Sequence, residues 1–139
     1  MIRFAALVLA LAGCHRPPVQ SCADDLGGIW RGEGDTKFRY KITDDGKQVV
    51  LEPLYPIGGD YGPFKTVLTR RDGGLAGSTT SSYTENGKTC PVKFVSRIDS
   101  CKGGKLDLWG ETRFEIKIAT CEIVPNGVME KAILVREKP

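Results

Sequence analysis

Tight-turn signals recur so closely along this chain that long helices find little room between them. Asp44-Asp45-Gly46, Asp72-Gly73-Gly74, Asn86-Gly87, Lys102-Gly103-Gly104 and Asn126-Gly127 each offer a residue that tolerates positive φ, as hairpin turns require. The intervals between them alternate. Phe38, Tyr40 and Ile42 share one face of the segment 36–43, and Lys37, Arg39 and Lys41 share the other. That period-2 pattern marks a strand with one buried face. Val92, Phe94, Ser96 and Ile98 alternate in the same way, as do Leu106, Leu108 and Gly110, then Phe114, Ile116 and Ile118. The expected fold is all-β: a small antiparallel meander, barrel or sandwich of about eight strands. With 139 residues, 17 of them glycine, the chain suits one domain of this kind.

The first residues carry a different signal. Arg3 precedes a continuous apolar run from Phe4 to Leu11, and Ala12, Gly13 and Cys14 follow. The run is too short for a membrane-spanning helix, which needs about 20 residues, and it fits the apolar part of an export leader. Leu11-Ala12-Gly13-Cys14 resembles the lipobox of bacterial lipoproteins. That resemblance implies cleavage before Cys14, a lipid on its thiol and attachment to a membrane. His15 directly after the cysteine, where aspartate marks inner-membrane retention, implies the outer membrane. The reading divides the chain into a signal peptide at 1–13, a lipidated cysteine and tether at 14–25, and a β-domain at 26–139.

Composition excludes several functions. A net charge of +3 is too small for a nucleic-acid partner. The single histidine, His15, argues against histidine-based triads and metal sites, so no enzyme and no cofactor are expected. Cys22, Cys90, Cys101 and Cys121 remain once Cys14 is set aside. An even set in an exported domain points to two disulfides, and the absence of a C-x-x-C pair argues against zinc. A hairpin turning at Glu111 would set Leu108 opposite Phe114, Leu106 opposite Ile116 and Cys101 opposite Cys121. Cys90 and Cys101 are held apart by an extended stretch, at about 3.3 Å per residue. The expected pairs are therefore Cys101–Cys121 and, by elimination, Cys22–Cys90.

Three residues stand out as binding candidates. Gly28-Ile29-Trp30 resembles the G-x-W of the calycin group, the lipocalins and avidin-like proteins. The resemblance implies that Trp30 closes one barrel end and that Arg136 packs on it by cation–π contact. The alternative is a plain core anchor. Tyr55 and Tyr61 lie on the Gly/Pro-rich segment 55–63, which suits either a binding mouth or a packed cover. The expected function is a non-catalytic, membrane-anchored envelope lipoprotein whose β-domain binds another envelope component. The alternatives are a calycin-like carrier of a small apolar ligand and an inhibitor of a lytic or proteolytic enzyme.

Overall fold

The computed structural model describes residues 17–138. The leader, Cys14 and His15 lie outside the described residues. Eight strands form a closed antiparallel barrel: β1 (Gly28–Gly32), β2 (Arg39–Asp44), β3 (Gln48–Pro53), β4 (Lys65–Arg71), β5 (Gly74–Glu85), β6 (Lys88–Ile98), β7 (Lys105–Gly110) and β10 (Glu130–Arg136). Between β7 and β10 the chain makes a separate hairpin, β8 (Phe114–Lys117) and β9 (Glu122–Pro125). The all-β expectation holds, in the form of a barrel.

Local chemistry explains the turns. Arg71 pairs with Gly74 and Glu85 with Lys88, leaving two-residue loops at Asp72-Gly73 and Asn86-Gly87. All four loop residues have φ between 47° and 80°, which matches the right-handed twist of the flanking strands. Gly77 answers a different need. A Cβ there would stand 2.0 Å from the Val67 carbonyl oxygen, so only glycine lets β4 and β5 approach this closely.

Inward residues from one half of each strand fill one end of the barrel. Trp30, Ile42, Val49, Leu51, Leu68, Leu75, Ile98, Leu106 and Leu134 are all buried there. The segment before β1 caps this end, with Val19, Cys22 and Leu26 inserted into the same core. Residues from Val19 onward are thus part of the folded domain, although the sequence reads as a tether as far as residue 25. Trp30 donates from its indole N–H to the Leu26 carbonyl at 2.8 Å. The Arg136 guanidinium lies 4.9 Å above its ring, as the resemblance implied. Arg70 ties the cap down, donating to the Cys22 and Asp24 carbonyls and to the Asp44 carboxylate.

The disulfides pair Cys22 with Cys101 and Cys90 with Cys121. The four cysteines are those expected, but the expected pairing is overturned. Its premise was a hairpin at Glu111, and β7 does not pair with β8. β7 lies between β6 and β10, with Leu106 opposite Leu134 and Leu108 opposite Ala132. β8 pairs only with β9, Phe114 facing Pro125. The chain from β7 to β10 is one long interrupted hairpin, and Cys121 at its tip meets Cys90 on the overhanging part of β6. Cys101 follows β6 at the capped end, beside Cys22. The strand between Cys90 and Cys101 does hold those two apart.

Candidate functional site

The capped end is solid and the opposite end is hollow. A cavity of about 480 Å³ opens there, within the range that holds small-molecule ligands. Two aromatic groups wall it. On the β2–β3 side, Tyr55 meets Phe38 and Tyr40 edge-on, with ring centroids 5.1 and 5.6 Å apart. On the β4–β6 side, Phe64 and Phe94 stand 6.3 Å apart, and Phe94 is backed by Phe114 of β8 at 5.5 Å. Leu108, Ala132 and Gly110 complete the wall, and a Cβ on Gly110 would touch the Phe94 ring at 3.4 Å.

The polar groups of the walls are largely matched among themselves. The Tyr40 and Tyr55 hydroxyls share a hydrogen bond of 2.9 Å. Burial, reinforced by that bond, pushes the Tyr40 phenol far above its ordinary range, so it stays neutral at any physiological pH. Glu130 and Lys131 are the charged residues bordering the cavity, both at the rim. Glu130 accepts from Thr112 at 2.6 Å and Arg113 at 2.7 Å, which hold its carboxyl below the usual range. Lys131 lies 3.6 Å from the Asp107 carboxylate.

At the floor, Thr66 of β4, Thr79 of β5 and Ser96 of β6 join their hydroxyls in a chain. Thr66 Oγ1 to Thr79 Oγ1 is 2.6 Å, and Thr79 Oγ1 to Ser96 Oγ is 2.7 Å. Thr66 and Thr79 are direct cross-strand partners. Each of the three occupies an inward position among apolar residues of its own strand, beside Leu68, Leu75 and Ile98. That parity is the signal by which sequence can find them. The run 78–82 reads instead as a wet strand face, and Thr79 is lost within it.

The expected site residues separate. Tyr55 borders this cavity and also a neighbouring hollow of about 330 Å³. Tyr61 lines only the second hollow, and its ring packs on Tyr83 at 5.0 Å and Phe64 at 5.5 Å. Its backbone bridges to Tyr83, so the segment 55–63 is a packed cover as well as a mouth. Trp30 is wholly buried at the capped end and borders neither space. Cys14 lies outside the described residues. The basic strand face is partly neutralised, since Arg39 holds Glu137 through two bonds of 2.7 and 2.9 Å.

Among the described residues, no group of His, Cys, Asp and Glu is placed to hold a metal ion. No helix among them is long and apolar enough to cross a membrane. The fold and site define a small disulfide-bonded β-barrel, solid at one end and hollow at the other. In comparison with known proteins, no family model matches the chain, and no match is found among curated proteins or solved structures.

Proposed function

We propose that this protein is a lipid-anchored component of a bacterial envelope whose barrel captures a small apolar ligand in its open end. The carrying observation is the aromatic-walled cavity of about 480 Å³, too large to be a packing defect and bordered by few charges. Calycin-like binding is further supported by Trp30 beneath Arg136 at the solid end, the arrangement that the G-x-W resemblance implies. The two disulfides fit an oxidising compartment, and the leader at 1–13, ending just before Cys14, fits export to one. A protein partner is the second reading. It is favoured by Phe38 and Leu54, which are 46% and 47% exposed at the open end.

The test compares the natural protein with Ala132→Trp, a change that fills the cavity from an exposed position on its wall. Both are purified from envelope membranes, extracted with organic solvent and analysed by mass spectrometry. A small apolar molecule should accompany the natural protein and be depleted severalfold in the variant. Identical extracts from two folded proteins would remove the carrier reading. A polypeptide retained equally by both would favour the protein partner.

A further inference from the structure

We propose that the hydroxyl chain at the cavity floor recognises one uncharged hydrogen-bonding group, so that the ligand is a neutral, ring-bearing amphiphile seated polar end first. This rests on the carrier reading and specifies its ligand. Each hydroxyl brings one O–H and two acceptor sites. Two contacts join Thr66, Thr79 and Ser96, and each contact uses one hydrogen. Three hydroxyls therefore always leave one O–H over, whichever way the chain is polarised. These side chains make no other hydrogen bond among the described residues.

The spare donor is not fixed in place. If Thr66 donates to Thr79 and Thr79 to Ser96, the free hydrogen is on Ser96. Reversing both bonds moves it to Thr66. Such a chain can meet a carbonyl by donating, or a hydroxyl by donating and accepting together. All three residues border the cavity while being only 8%, 5% and 2% exposed. A donor held there faces little water, so leaving it unmatched beside an apolar ligand carries a penalty.

Charge selects in the other direction. An ionised group at the floor would lose its hydration and find no opposite charge, because Glu130 and Lys131 are engaged at the rim. The wall chemistry sets the rest of the ligand. The Tyr40 and Tyr55 hydroxyls share one hydrogen bond, and their spare O–H belongs to half-buried side chains nearer the open end, so these residues chiefly offer ring faces and edges to a flat body. Ring-bearing alcohols, ketones and amides fit this description, whereas fatty-acid anions do not.

Three probes sharing one apolar frame test it: naphthalene, naphthol and naphthoate. The full chain is held in lipid nanodiscs at pH 7, and empty nanodiscs correct for partitioning into lipid. Naphthol should bind about three- to tenfold more tightly than naphthalene, the range expected from one net hydrogen bond. Naphthoate should bind more weakly than either. In Thr66→Val/Thr79→Val/Ser96→Ala, which removes all three hydroxyls and leaves no orphaned partner, the naphthol advantage should vanish while naphthalene binding persists. Should that variant not fold, the ranking on the natural protein decides. Equal binding of naphthalene and naphthol would overturn the floor recognition and leave the carrier reading standing. Tightest binding by naphthoate would overturn it too. Failure of all three probes to bind would overturn both.

Discussion

Asp44 shows how one side chain at the capped end couples stability to pH. Its carboxylate accepts two bonds from Arg70, at 2.8 and 2.6 Å, and backbone N–H donations from Leu26 and Gly46 at 2.9 Å. Only 2% of the side chain is exposed. Arg70, then the two N–H groups, lower its pKa from 3.8 to about 2 against the opposing effect of burial. A carboxyl whose folded pKa is depressed adds stability above its unfolded pKa and loses it as pH falls through the folded one. The contribution should be about 2 kcal/mol near neutrality, intact above about pH 4 and gone below about pH 2. Urea unfolding between pH 7 and 2 should therefore show the natural protein losing about 2 kcal/mol more than Asp44→Asn. Exposed carboxylates that do not interact with Asp44, such as Asp24 and Glu130, titrate in both proteins and cancel from the difference. Parallel stability curves would mean that the Arg70–Asp44 pair does not clamp the cap.

The two disulfides secure different elements, so their removal should look different. Cys22–Cys101 closes a separation of 79 residues and ties the cap to the barrel. Cys90–Cys121 closes 31 and ties the β8–β9 tip to β6. Chain entropy gives roughly 4.5 and 3.7 kcal/mol respectively, less any relaxation. Cys22→Ser/Cys101→Ser should lower the melting temperature of the whole domain. Cys90→Ser/Cys121→Ser should mainly speed amide exchange in β8 and β9, since this hairpin shares no ladder with the barrel. Equal protection of β8 and β9 in both variants would show that the hairpin does not depend on its bridge. The bridge pattern also marks where sequence stops being legible. Asp72-Gly73 and Asn86-Gly87 declare their turns because positive φ is a local demand. The partner of β7 is not local: Leu106 and Leu108 match the apolar alternation of Phe114 and Ile116 as well as they match β10. Nothing in that alternation says that residues 111–113 break the ladder instead of turning it. The cavity was less legible still. The inward parity of Thr66, Thr79 and Ser96 is visible strand by strand, but their convergence exists only once β4, β5 and β6 are adjacent.

At the scale of the whole molecule, the entry of the chain into the barrel and the cavity lie at opposite poles. Val19 and Cys22 are buried in the capped end, so the chain enters the barrel there. Cys14 precedes Val19 by only five residues, a span of at most about 17 Å when fully extended. Acylation at Cys14 would thus hold the capped end against the bilayer. The cavity mouth then lies a strand length farther out, about 20 Å for six residues. On the proposed carrier function, a ligand would enter from the aqueous side and not from the anchoring leaflet, and the hydroxyl floor would replace the hydrogen bond to water that its polar end gives up on entry. The prediction is geometric. A fluorescent amino acid at Asp45, in the exposed turn of the capped end, should be quenched strongly by nitroxide-labelled lipid in vesicles carrying the acylated protein. The same probe at Asp60, on the cover of the open end, should be quenched weakly. Labelled fatty acid should enter the natural protein but not Cys14→Ala, and quenching at both positions should disappear in that variant. Stronger quenching at Asp60 than at Asp45 would turn the barrel over and place its mouth on the membrane.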